Sequence, residues 1–150
     1  MATRASIVVL YKVEENGNTE MMHIYHHWDG NPENLGSNLK EFLSHWQLWQ
    51  FQEHWDGLIN HILKGHVKYG DGTADTAFEW SFCIHGDIDF LYVIDCTNGT
   101  LRCFLREKNY GIPFGCVPLK YIMAYNTELY IPTWDELEHG IVSYPIKTKQ

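Results

Sequence analysis

One stretch constrains the fold more than any other. Residues 24–43, IYHHWDGNPENLGSNLKEFL, change their apolar spacing from two to three and four. Upstream, residues 6–13 (SIVVLYKV) and 19–28 are β-branched and aromatic runs. Between them lies Asn16-Gly17, the strongest hairpin dipeptide in the chain. Downstream, Leu35, Leu39, Phe42, Leu43 and Trp46 recur at helical spacing, with Asn34 or Ser37 placed to cap them. Leu58, Ile59, Ile62 and Leu63 form a second stripe that Gly65 is placed to end. Residues 79–84, 90–95 and 101–106 read as strands, the last two joined by a turn at 97–100. Residues 68–77 read as a Gly-rich loop and 108–118 as irregular. Thr133 to Glu136 reads as the capping box of a short helix. Strands on both sides of a helical middle predict a single α+β domain over residues 1–150. The expected form is a single mostly antiparallel sheet of about five strands. Two helices, or one bent helix, from about 35–64 should pack on one face.

Composition narrows the function classes. Net charge is −8 with histidine neutral, and the 11 Lys and Arg residues are scattered. That sign opposes a phosphate backbone, so general nucleic-acid binding is not expected. No apolar run approaches the roughly 20 residues that span a bilayer. Lys12 and Glu14 end the N-terminal apolar run short of signal-peptide length. The expectation is a soluble cytoplasmic protein without membrane contact. Cys83, Cys96, Cys103 and Cys116 form no Cys-x-x-Cys pair and read as four reduced thiols. Aromatics reach 15%, and Trp46, Trp55 and Trp80 read as core rings.

The polar side chains gather where the second strand ends. Strand alternation puts Tyr25, His27 and Asp29 on one face, and sends His26 and His27 to opposite sides. Trp28 stands at the mouth of the turn. Gly30 is placed for a positive φ, Asn31 and Pro32 turn the chain, and Gly36 permits close backbone approach. A loop of this kind opening a helix can hold an anion on bare amides. The candidate ligand-binding set is therefore Tyr25, His27, Trp28, Asp29, Gly30, Asn31, Pro32 and Gly36. Its ligand would be a small anionic or nucleotide-like molecule, or a protein partner. The competing reading is an Asx-type turn that only shapes the backbone.

Catalysis is less well spelled out. His85, Asp87 and Asp89 form a His-x-Asp-x-Asp pattern. If these residues meet His27 and Asp29, a metal set of His27, Asp29, His85 and Asp87 would suit hydrolysis of a phosphoester or nucleotide. Spacing alone does not select that set, so the main reading carries no metal and no cofactor. No Gly-x-Ser-x-Gly elbow is present, and Ser81 and Cys83 read as packing residues.

Residues 25–36, YHHWDGNPENLG, resemble a family of small phage and bacterial proteins of unassigned activity. Their pattern is Tyr-x-His-x-Asp-Gly-Tyr-Pro, a short gap, Gly, and a Leu-bearing helix. Tyr25, His27, Asp29, Gly30, Pro32, Gly36 and Leu39 match it, and Asn31 replaces the aromatic. The strand at Tyr92 to Asp95 is a looser second likeness. The resemblance implies a phage or bacterial setting, with the host cytoplasm as location if phage-encoded. Three functions follow as expectations. The first is a non-catalytic binding protein for a small ligand or partner, with a counter-defence role by sequestering a signal or blocking a partner. The second is the metal-dependent hydrolase. The third is a structural or assembly protein that associates with further copies of itself.

Overall fold

β1 (Ala5–Val13) is the strand on which the sheet is built. Four successive residues, Ile7 to Leu10, are buried in it. Such a run fits a central strand covered on both faces. The computed structural model describes residues 3–16, 19–69, 78–106, 119, 123–124 and 126–131. On one side β1 pairs antiparallel with β2 (Thr19–His26), from Val13 against Thr19 to Ala5 against His26, with a register shift between Leu10 and Lys12. This is the expected hairpin, although β2 stops two residues before Trp28. On the other side β1 pairs parallel with β4 (Phe90–Asp95). β3 (Phe78–Ser81) adds to β2. β5 (Thr100–Leu105) adds to β4, and β6 (Thr127–Leu129) to β5, all antiparallel. The order is β3-β2-β1-β4-β5-β6. Among the described residues the fold is thus α+β, as expected, with a mostly antiparallel sheet that has one parallel pair at its centre and six strands, close to the expected five.

The helical middle is more divided than its apolar stripes suggest. A π-helical turn at Pro32–Gly36 runs straight into α1 (Ser37–Ser44), so α1 has no free N-terminus to cap. Asn34 and Ser37 therefore do not serve as caps, and Ser37 is buried instead. α2 (Leu48–Glu53) starts at a capping box between Gln47 and Gln50. His54 breaks the chain again before α3 (Trp55–Leu63), and α4 (His66–Tyr69) follows. Gly57 lies inside α3, while Gly65, at φ 78°, ends it as expected.

These helices cover one face of the sheet. Leu35, Leu39, Phe51, Leu58 and Ile62 pack against Ile7, Val9, Ile24, Tyr92 and Ile94. Leu39 and Leu43 are buried as expected, whereas Phe42 and Trp46 are only partly so. The Tyr11 ring stacks on Trp55 at 3.9 Å, beside a register slip in β1. The opposite face is also buried: Val8, Tyr25, Leu91, Val93 and Phe104 pack with Ile84 and Ile88. Trp80 is not a core ring. It lies on β3 at the outer end of the strand order, 47% exposed, with Phe82 edge-on at 4.5 Å.

Cys96 and Cys103 are free and buried, and burial pushes both thiols well above their ordinary range. Cys83 corrects the four-thiol expectation, because it is disulfide-bonded. Spacing along the chain does not reveal that pairing, since a disulfide needs only spatial proximity. The readings at residues 70–77, 107–118 and 132–150 lie outside the described residues. No helix among the described residues is long and apolar enough to cross a membrane.

Two substitutions test this packing. Leu39→Ala empties a fully buried site and should cost about 2–5 kcal/mol. Gly30→Ala would bring a Cβ within 2.7 Å of the Ala5 Cβ and should cost about 1–3 kcal/mol. Denaturant midpoints unchanged from wild type would contradict both.

Candidate functional site

The loop that follows β2 is shaped by Tyr92. This side chain is fully buried on β4. Its hydroxyl donates to the Gly30 carbonyl at 2.5 Å. Its ring closes on Gly36, where a Cβ would sit only 3.2 Å from Cε1. Gly36 thus permits close approach, as the sequence suggests. The left-handed backbone is at Asp29, φ 57°, and not at Gly30. Aspartate tolerates that region better than most residues. Gly30 is required for a different reason: its backbone runs against Ala5 and Thr3, and its amide donates to the Thr3 carbonyl at 3.0 Å.

Three of the amides expected to receive an anion are engaged within the chain. Gly30 donates to Thr3, and both Asn34 and Gly36 donate to the Asn31 carbonyl. Pro32 has no amide hydrogen and is buried. The Asn31 side chain donates to Glu33 at 2.7 Å and accepts from Asn34 at 3.0 Å. Gly30, Asn31, Pro32 and Gly36 therefore hold the loop in shape.

The other side chains of the set form a surface at the same end of the sheet. Tyr25 is its hub. The Tyr25 hydroxyl donates to Asp87 at 3.1 Å, and Arg4 Nε lies 3.7 Å from the same carboxylate oxygen. The His85 ring is tilted against Tyr25 at 4.4 Å, and His27 meets its edge at 4.9 Å. His27 Nε2 lies 3.1 Å from Glu79 on β3. Trp28, 42% exposed, stands 5.8 Å from His27. His26 faces the opposite way, fully buried and stacked on Phe78. Arg4 and Asp89 tie the starts of β1 and β4 together: the Arg4 amide donates to the Asp89 carboxylate, and the Asp89 amide to the Arg4 carbonyl.

The structure thus brings His27, His85 and Asp87 around Tyr25. Even so, no group of three His, Cys, Asp or Glu among the described residues converges to hold a metal. Asp87 is occupied by Tyr25 and Arg4, and His27 by Glu79.

Sequence reasoning missed three features here. Glu79 joins the site because it lies opposite Tyr25 across the β2–β3 pair, which no local signal announces. Ser81 Oγ meets His85 Nε2 at 2.6 Å, across the turn that leaves β3. The same hydroxyl donates to the Cys83 carbonyl at 3.1 Å. A serine has one hydroxyl hydrogen: with it on the Cys83 carbonyl the hydroxyl accepts from a protonated Nε2, and with it on His85 the imidazole is placed as a general base. The third is a cavity of about 400 Å³ lined by Lys40, Leu101, Arg102, Glu128, Tyr130 and Ile131, among others. Its cations are already engaged. Arg102 makes a bidentate pair with Glu128, and Lys40 donates to the Ile131 carbonyl.

Comparison with known proteins finds no matching family model, no curated relative and no similar solved structure.

Burial, and then the Asp87 carboxylate, push the Tyr25 hydroxyl from 10.0 up to about 12. At neutral pH it is a fixed donor and not a base. The folded value lies above the unfolded one. The associated stability is therefore whole below pH 10 and is lost as pH rises to about 12. Spectrophotometric titration should show a late tyrosine step near pH 12 that is missing in Tyr25→Phe. An identical titration curve in that variant would contradict the assignment.

Proposed function

We propose that this chain is a non-catalytic binding protein. Its recognition surface is the exposed edge of the Tyr25 cluster, formed by His27, Trp28, Glu79 and Asp87. The observation that carries this reading is the exposed Trp28 indole beside the His27–Glu79 pair. Asp29, Glu79, Asp87 and Asp89 share this end of the sheet with Arg4 and Arg106. Among the described residues the carboxylates here outnumber the cations, and the Gly30, Asn34 and Gly36 amides are engaged. Both facts favour a cationic group over the anionic ligand that the sequence suggests. A lysine or arginine side chain of a partner can lie on the indole face while the carboxylates accept its hydrogen bonds. In a phage or bacterial setting, such a surface fits a protein that occupies or blocks a basic segment of a partner.

The competing reading is nucleophilic catalysis at Ser81, favoured by its contact with His85. One set of measurements separates the two. An arginine-rich peptide should bind and perturb Trp28 fluorescence, while a matched acidic peptide should not. Trp28→Ala should weaken binding about two- to thirtyfold, the worth of a cation–π contact of ~0.5–2 kcal/mol. Its stability should change by less than about 1 kcal/mol. Equal binding of both peptides, or unchanged affinity in Trp28→Ala, would contradict the proposal. Ester or phosphoester turnover that depends on Ser81 would establish the competing reading.

A further inference from the structure

The C-terminal end of α3 carries two histidines that share no residue with the Tyr25 surface. His61 sits in the last turn of α3. The helix closes with the Lys64 amide on the Asn60 carbonyl at 3.1 Å and the Gly65 amide on the Ile62 carbonyl at 2.9 Å. Gly65 takes its left-handed φ of 78° without steric cost, and His66 opens α4 directly after it. The neighbours of both histidines are anchored, since Ile62 and Val67 are buried in the core. The two rings lie at the surface, and the backbone that carries them is anchored by the fold.

The result is an unusual contact. His61 Nδ1 and His66 Nδ1 face each other at 2.6 Å, with ring centroids 4.9 Å apart. That is shorter than the roughly 2.9 Å of an ordinary N–H donor bond. Two neutral imidazoles can share a single proton here. If both instead carry their hydrogen on Nε2, two in-plane lone pairs point into the same space. The rings of Phe42 and Trp46, 5.8 and 6.4 Å from His61, give the site an apolar wall.

We propose that His61 and His66 form a two-imidazole site for a divalent transition-metal ion of the class that prefers nitrogen donors, such as Zn²⁺, Cu²⁺ or Ni²⁺. Each Nδ1 supplies one ligand at about 2.0–2.1 Å, which requires the rings to part by less than about 1 Å. The remaining positions are left to water or to a donor from a bound molecule. Oxygen-preferring ions such as Mg²⁺ find no suitable ligands in this pair.

The test uses the full-length chain with ¹⁵N-labelled histidine and Zn²⁺ as the probe. Zn²⁺ should move the ring nitrogen resonances of His61 and His66 before those of the other histidines, saturate at one equivalent, and raise the thermal midpoint with concentration. Mg²⁺ should do neither. His61→Gln and His66→Gln should each weaken binding at least about tenfold, and His54→Gln should leave it unchanged. Ring resonances of His61 and His66 that stay still under excess Zn²⁺ would overturn the proposal. So would Zn²⁺ binding that survives both substitutions. If either variant fails to fold, the wild-type ring shifts decide the matter alone.

Discussion

A buried tyrosine must place its hydroxyl somewhere, and much of this structure follows from where Tyr92 places it. Leaving that oxygen without a partner would cost about 1–3 kcal/mol. The Gly30 carbonyl supplies the partner, which requires the chain leaving β2 to double back beneath the sheet end. Asp29 makes the reversal in the left-handed region. Gly30 fits because any side chain there would strike Ala5, and Gly36 fits because a Cβ there would crowd the Tyr92 ring. Pro32 starts the π-helical turn, and Leu35 enters the core beside Tyr92. The Asp-Gly-Asn-Pro-x-x-Leu-Gly string thus reads as the set of residues that lets a loop close over one aromatic ring.

That constraint separates structural work from recognition. The Gly30, Asn34 and Gly36 amides are spent on the chain itself, so they are not offered to an anion. The side chains on the opposite side of β2 remain available. Alternation along a single strand does the sorting. His26 goes to the core face and stacks on Phe78, while Tyr25 and His27 go to the other face and meet Asp87, His85 and Glu79. Acidic groups then dominate the exposed edge and set the sign of what it can attract.

The features legible in the sequence are those written at short range. Period-two runs about Asn16-Gly17 gave the β1–β2 hairpin, and the stripe from Leu35 to Leu43 gave the covering helices. The role of Gly36 and the opposite facing of His26 and His27 were also readable. The features that were not legible depend on partners far apart in the chain. The parallel pairing of β1 with β4 has no local signature. Tyr25 and Asp87 are 62 residues apart, as are Tyr92 and Gly30. Trp80 was misread because composition does not say that β3 lies at the outer end of the strand order. His61 and His66 are only five apart, yet their contact depends on the direction in which Gly65 turns the chain.

Hydrogen exchange at the Gly30 amide tests the central claim most directly. If Tyr92 fastens the loop to the core, that amide, bonded to the Thr3 carbonyl, exchanges only when β1 and β4 open with it. Its protection should then approach that of the central strands and fall selectively in Tyr92→Phe. Exchange of Gly30 at the rate of an unstructured loop, while β1 and β4 stay protected, would contradict the account.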